Sequence, residues 1–254
     1  MLEAEIRKQR QNKDILLMTH IVLGYPSLEA SRQIAHQMVE AGVDLMELQI
    51  PFSEPIADGP VILHANQRAL ASGVTVESCF QLAKQLTKEL PIPFLFMSYY
   101  NIAWMRGVAR FARDTREAGL SGAIIPDLPF EEGETLLAAF EKEQLDPVFI
   151  FSPNTSEERM RAIAARARGF VYCVARKGVT GSQTEFSELG EYLARCRRAT
   201  DLPLALGFGV KSAEDVAAIT GKVDIAVVGS ETIRVVEKSG VSAVKGFIRS
   251  LRAG

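Results

Sequence analysis

The chain reads as an α/β protein, a (β/α)8 barrel (TIM barrel) with an extra N-terminal helix, formed by residues 1–254 as a single domain. Three observations predict it. Eight short apolar runs alternate with longer amphipathic stretches, the pattern of parallel strands joined by crossover helices. The length of 254 residues is what one such barrel fills. Unusual polar residues and glycines gather just after the runs, at the face where a barrel collects its chemistry. No low-complexity segment, charge block or linker divides the chain.

Taken in order, residues 1–12 form a charged helix ahead of the first strand. The runs that follow are rich in β-branched and large apolar residues, as strands are. Ile15–Leu23 is the first, and Ser27–Ala41 returns from it as a helix. Leu45–Ile50 is the second, with Val76–Glu89 leading to the third, Phe94–Met97. Val108–Ala118 precedes Gly122–Ile125, and Glu131–Glu143 precedes Pro147–Phe151. The helix Ser156–Arg166 opens with a capping serine followed by Glu157 and Glu158, which suit the positive helix start. It leads to Phe170–Val174, and Phe186–Arg198 leads to Leu204–Leu206. Ser212–Ile219 is capped in the same way, with Glu214 and Asp215 behind Ser212, and leads to Ile225–Val228. A short helix pattern after Gly229 and a last helix over Val241–Leu251 complete the series.

The second run breaks its own pattern. Alternation puts Met46, Leu48 and Ile50 on one face, all apolar, and Leu45, Glu47 and Gln49 on the other. An inward carboxylate must be paired, protonated or used. Glu47 is therefore either a structural acid beside a basic group or a catalytic one. The loop after it carries Pro51, Pro55 and Pro60, which fix φ and hold its polar groups in a set geometry. Asp58, in Ala57-Asp58-Gly59-Pro60, is either a turn residue or a site residue held by that loop.

Other candidates fall after later strands. Tyr99 and Asn101 follow the third, where Tyr99 reads as a site wall or as packing at the rim. Asp127, between Pro126 and Leu128, follows the fourth and could cap the next helix or hold a substrate. Tyr100, Tyr172 and Phe208 fit either a core or the wall of a pocket. Glycines follow strands six to eight, in Gly178-Val179-Thr180-Gly181, Gly207-Phe208-Gly209 and Gly229-Ser230. Glycine lets backbone amides approach an anion, and the helix opening at Gly229-Ser230 adds its positive end. Together they predict a phosphate cradle. No Walker-type loop or dinucleotide fingerprint is present, so the phosphate belongs to a small substrate.

Composition excludes other classes. Net charge is −2 and no basic stripe stands out, which argues against nucleic-acid or membrane-surface binding. Three cysteines, Cys79, Cys173 and Cys196, are odd in number and lack metal-ligand spacing, as reduced thiols do. His20, His36 and His64 have no metal-like spacing either, so no metal is expected; His20 belongs in the first strand with a polar partner and His36 on a helix surface. The amino end lacks the apolar core of a signal peptide, and the cytoplasm is the expected compartment.

The stretch Glu47-Leu-x-Ile-Pro-Phe-Ser-x-Pro-x-Ala-Asp-Gly-Pro60 resembles the signature of the tryptophan synthase alpha chain family. The likeness continues, in order, through Leu23-Gly24-Tyr25-Pro26, Ala69-Leu-x-x-Gly-Val-Thr75, Tyr99-x-Asn101, Asp127-Leu128-Pro129 and the three glycine loops, over nearly the whole chain. It implies a lyase of tryptophan biosynthesis that splits indole-3-glycerol phosphate into indole and glyceraldehyde 3-phosphate. Glu47 matches the family's acid–base residue, and Asp58 the carboxylate opposite the indole N–H. Gly181, Gly209, Gly229 and Ser230 match phosphate-binding positions. Thr180 matches a mobile-loop residue that orients the Asp58 equivalent. Tyr172 and Phe208 match residues near the indole, Met97 and Tyr99 occupy positions that line the same pocket, and Asp127 is read as holding the substrate beside them. The resemblance also implies a beta-chain partner in an alpha2beta2 heterotetramer. That partner holds pyridoxal phosphate, and this chain has no cofactor of its own. His20, Gln49, Glu54, Leu63 and Lys177 depart from the residues common in the family, which bears on pocket shape and rate more than on reaction class. Two rivals remain: another phosphate-binding barrel enzyme, against which the loop with Asp58 argues, and a silent regulatory partner, against which the intact acid pair argues.

Overall fold

The eight apolar runs become eight parallel strands that pair in sequence order, and the eighth returns to the first to close a barrel. The structure, a computed structural model, describes residues 2–175, 183–207 and 209–252, the side chains of 183–187 apart. The strands are β1 (Leu16–Val22), β2 (Leu45–Gln49), β3 (Phe94–Met97), β4 (Gly122–Ile124), β5 (Asp146–Phe151), β6 (Val171–Val174), β7 (Leu204–Gly207) and β8 (Ile225–Val228). Around them run α1 (Leu2–Arg10), α2 (Leu28–Glu40), α3 (Pro60–Ala71), α4 (Val76–Glu89), α5 (Tyr100–Arg106) and α6 (Val108–Glu117). The second half adds α7 (Glu134–Lys142), α8 (Glu157–Ala164), α9 (Gln183–Ala199), α10 (Ala213–Ile219), α11 (Ser230–Ser239) and α12 (Val244–Ser250).

Strand parity divides the apolar residues into two cores. Leu16, Met18, Leu45, Leu95, Ile124, Val148, Ala205, Ile225 and Val227 fill the barrel's interior. Met46, Leu48, Ile50, Phe94 and Phe96 face outward into the layer between strands and helices. The extra helix α1 closes the amino end of the barrel. Its Leu2 and Ile6 join the interior cluster, and the Leu2 N–H donates to Asp146 Oδ2, at the start of β5, at 3.1 Å. The strands come very close at Gly122, where a Cβ would lie 1.9 Å from the Asp146 carbonyl oxygen, so β4 and β5 can keep this register only with glycine there. Nearby, buried Asp44 accepts from the Leu17 N–H at 2.8 Å and pairs with Lys13 and Arg252, tying both ends of the chain to the barrel floor.

The structure adds two helices that periodicity did not mark. Helix α3 begins at Pro60, whose fixed φ and missing N–H suit the first helical position. Helix α5 is only 7 residues long and leaves Trp104 and Met105 exposed, so it carries no clear apolar stripe. Gly107, at φ 84°, ends it and starts α6. Two expected helices are shortened: Gly133 separates α7 from a 3-10 turn over Phe130–Glu132, and another such turn, Val241–Ala243, precedes α12.

Candidate active site

The lower interior of the barrel is apolar and the upper interior is not. Above Leu45 on β2 come Glu47 and Gln49, and beside them on β1 stands His20, paired in register with Glu47. All three side chains are buried, Glu47 at 3% exposure. His20 Nδ1 lies 3.0 Å from Glu47 Oε1. Burial disfavours charge on the imidazole, but the hydrogen bond to Glu47, the charges of Glu47 and Asp58 and the Gln49 side chain outweigh it and raise the His20 pKa above its ordinary value. Glu47 thus has a basic partner and also faces a cavity of about 1050 Å³ that opens at the carboxyl ends of the strands.

Asp58 reaches the same cavity from the loop between β2 and α3. Its Oδ2 accepts from Gln49 Nε2 at 2.6 Å and from the Tyr99 hydroxyl at 3.1 Å. Tyr99 in turn accepts from the Ala57 N–H at 3.1 Å, and its ring stacks on Phe52 with centroids 5.1 Å apart. Burial, followed by the Asp58 charge, pushes the Tyr99 phenol far above its usual pKa, so it stays a donor. Asn66 of α3 completes the frame by accepting from the Phe52 N–H at 2.9 Å and from Gln49 Nε2 at 3.4 Å. Both bonds to Asp58 fall on one oxygen, which leaves the other able to accept from a ligand.

The same cavity has a glycine rim, formed after β7 and β8. Gly209 has φ 77°, a left-handed conformation that favours glycine, and a Cβ there would meet nothing within 4 Å. Gly229 precedes α11, so the free N–H groups of a 10-residue helix begin at Ser230. Gly209, Gly229 and Ser230 all line the cavity, and so do Lys211 and Arg234. Two cations, a helix start and open glycine backbone make this side suited to an anion. Between rim and carboxylates stand Met97, Ile124, Ile150 and Tyr172, an apolar wall for a flat ring. Tyr172 fits because Gly207 has no side chain: a Cβ there would sit 2.9 Å from the tyrosine ring. Burial, then the charges of Glu47 and Asp58, raise its phenol pKa well above the usual value.

The structure thus gathers Glu47, Asp58, Met97, Tyr172, Gly209, Gly229 and Ser230 around one space. Thr180, Gly181 and Phe208 lie outside the described residues, as does Lys177. Two expected residues go elsewhere. Tyr99 is fully buried and does not line the cavity; it holds Asp58 instead. Asp127 is also absent from the lining. Its Oδ1 accepts from the Tyr100 N–H at 2.8 Å, so that oxygen satisfies a free donor at the start of α5. Lys211 and Arg234 were not anticipated. The available signal was spacing, since Arg234 falls four residues after Ser230 and hence on the same helix face, where its Nη1 lies 3.5 Å from Ser230 Oγ. Among the described residues no group of three or more His, Cys, Asp or Glu side chains is placed to hold a metal ion.

Comparison with known proteins gives a consistent picture. The family model described as tryptophan synthase alpha chain matches residues 6–251. A tryptophan synthase alpha chain from Desulforapulum autotrophicum is 62% identical over 99% of this chain and 100% of its own length. One from Syntrophotalea carbinolica is 60% identical over 99% and 100%. Among solved structures, tryptophan synthase from M. tuberculosis in an aminoacrylate-bound form superposes with a TM-score of 0.91 at 30% identity, covering 99% of this chain and 98% of that one.

Proposed function

The chain belongs to the tryptophan synthase alpha chain family, a lyase that cleaves indole-3-glycerol phosphate to indole and glyceraldehyde 3-phosphate, and we propose that Glu47 and Asp58 carry this cleavage. The observation that carries the assignment is their placement: a buried acid on β2 and a loop carboxylate line one cavity whose glycine rim suits phosphate. Cleavage needs the indole ring to accept the electrons of the breaking C–C bond. Glu47 gives a proton to indole C3, and positive charge builds on the ring nitrogen. The free oxygen of Asp58 accepts from that N–H and stabilises the charge. Glu47, now a carboxylate, takes the proton of the glycerol hydroxyl next to the bond. The hydroxyl oxygen becomes the aldehyde carbonyl, the C–C electrons return to the ring, and Glu47 ends protonated as it began. The assay is release of indole by the purified chain, with and without a beta chain; no release in either case would remove the proposed roles.

Gly209, Gly229 and Ser230 are assigned to the phosphate, together with Gly181, whose placement is not described, and with Lys211 and Arg234 as its counter-charges. Met97 and Tyr172 are assigned to the indole ring, and Thr180 and Phe208 keep the substrate-side roles that the family pattern suggests. Gly209→Asp is expected to abolish substrate binding, with KM raised by at least ~10²-fold, because a carboxylate would enter the phosphate's space and repel it. A KM equal to the parent's would move the phosphate elsewhere.

We further assign the loop 51–59 and the adjoining helix α5 to a beta-chain partner in an alpha2beta2 heterotetramer. Ile56, Trp104 and Met105 are exposed large apolar side chains, Ile56 at 81%. The bond between the Ala57 N–H and Tyr99 ties the loop to the start of α5. Glu54 is exposed on the same loop. Glu54→Lys is expected to weaken association with a beta chain by roughly three- to tenfold through charge reversal, with the melting of the free chain nearly unaltered. Calorimetric titration giving equal affinities would exclude Glu54 from the interface. In this scheme pyridoxal phosphate belongs to the beta chain and the alpha chain works on indole-3-glycerol phosphate without a cofactor. A cytoplasmic location is the reading that three buried free cysteines support; among the described residues no helix is long and apolar enough to cross a membrane.

A further inference from the structure

The two carboxylates are connected through side chains to which the cleavage assigns no step. On the barrel's inner face, β1 and β2 pair His20 with Glu47 and Val22 with Gln49, so His20 and Gln49 are diagonal neighbours. Each has one end engaged: His20 Nδ1 meets Glu47 Oε1 at 3.0 Å, and Gln49 Nε2 meets Asp58 Oδ2 at 2.6 Å. Their other ends, His20 Nε2 and Gln49 Oε1, are buried with no hydrogen-bond partner among the described residues. Tautomer chemistry accounts for the pair of orphans. With its proton on Nδ1 for Glu47, a neutral imidazole offers only a lone pair at Nε2, and the Gln49 oxygen also offers lone pairs. Two acceptors cannot bond. A second proton on the ring turns Nε2 into a donor.

We propose that His20 and Gln49 are positioning residues that form a proton-dependent bridge between Glu47 and Asp58. In the doubly protonated ring, Nδ1–H holds Glu47 Oε1, and Nε2–H closes onto Gln49 Oε1, whose amide holds Asp58. Oε1 remains an acceptor whether Glu47 is carboxylate or acid, so the proton that Glu47 exchanges with substrate travels on Oε2. One bridge thereby fixes both carboxylates relative to each other. The inference rests on Glu47 and Asp58 being the acting pair. Ring charge is favoured by its surroundings: Glu47 and Asp58 raise the His20 pKa against the cost of burial. Among the described residues, the other titratable groups lining the cavity are the neutral phenol of Tyr172, from β6, and Lys211 and Arg234 on the glycine rim. After β8, the Gly229 backbone approaches His20, with a Cβ position 3.7 Å from His20 Cβ. The sign follows. Below the raised His20 pKa the bridge is closed, and as pH rises through it the bridge opens and turnover falls.

Nuclear magnetic resonance of the full chain labelled at histidine tests the bridge directly, because there are only 3 histidines to assign. The His20 titration midpoint is expected to fall by on the order of one pH unit in Gln49→Met and further in Glu47→Gln. In parallel, kcat for indole release with saturating beta chain is followed against pH. The parent's kcat should fall as pH rises through the His20 midpoint. His20→Asn keeps a donor near the Nδ1 position but cannot titrate; it should lose that limb and about tenfold or more in kcat, with KM close to the parent's, as misplaced acid–base groups do. A midpoint that Gln49→Met leaves in place, or an unchanged limb in His20→Asn, overturns the bridge. If instead Glu47→Gln turns over as fast as the parent, the acid–base assignment itself falls, so the two failures are distinct.

Discussion

Glu47→Gln is expected to fold and to bind phosphate-bearing ligands as the parent does, while losing on the order of 10²-fold or more in turnover, the scale for removing a positioned acid–base group. Glutamine has nearly the same shape. It can sit above Leu45 in the barrel and offer its oxygen to His20 Nδ1, so the 3.0 Å contact has a substitute. What it lacks is an exchangeable proton, and the proposed cycle needs one proton delivered to carbon and one taken from a hydroxyl by the same group. The phosphate side, with Gly209, Gly229 and Ser230, offers backbone and helix-start groups that this substitution does not alter. The loss should therefore appear in kcat and leave ligand affinity alone. Single-turnover indole release with saturating beta chain is the measurement. Turnover within a few-fold of the parent would make Glu47 a structural acid for His20 and nothing more.

Asp58→Asn should be similarly impaired, by ~10²–10³-fold in kcat, the range for removing one preorganised charge-stabilising group. The hydrogen-bond frame makes the argument sharper than charge alone. Gln49 Nε2 and the Tyr99 hydroxyl both donate to one oxygen of Asp58. An asparagine that turned its single oxygen towards these two donors would put its NH2 where the indole N–H must be received, donor against donor. Turned the other way, it would leave Gln49 and Tyr99 facing an amide hydrogen. A carboxylate serves both sides at once and an amide serves one. Melting should change little, because Asp58 sits on a partly exposed loop, so a large drop in melting temperature together with the lost activity would assign Asp58 to stability instead.

Glu47, the proposed catalytic acid, was legible because it violates a pattern. In a strand whose other residues, Gln49 apart, are apolar, an inward Glu47 is visible from parity alone, and the barrel confirms the parity through Leu45 inside and Met46, Leu48 and Ile50 outside. The loops with Gly209 and Gly229 were legible because, once eight parallel strands are recognised, every loop that follows a strand is assigned to the carboxyl face. Helices α3 and α5 were not, since one is announced mainly by a proline that reads equally as part of a rigid loop, and the other is too short to show a period.

The chain alone therefore determined what depends on local chemistry and on periods of two or 3.6 residues: strand and helix alternation, the face on which Glu47 lies, the stiffness of the Asp58 loop, and the glycines open to an anion. Tertiary structure decided which side chains meet. Tyr99 and Asp58 are 41 residues apart, His20 and Glu47 are 27, and Asp127 and Tyr100 are 27. Contacts at such separations follow from strand register and barrel closure, which bring distant positions to one level of the interior. That is why Tyr99 turned out to hold Asp58 and Asp127 to accept from the Tyr100 N–H at the start of α5, and why Lys211 joined a cavity that no local pattern connects it to.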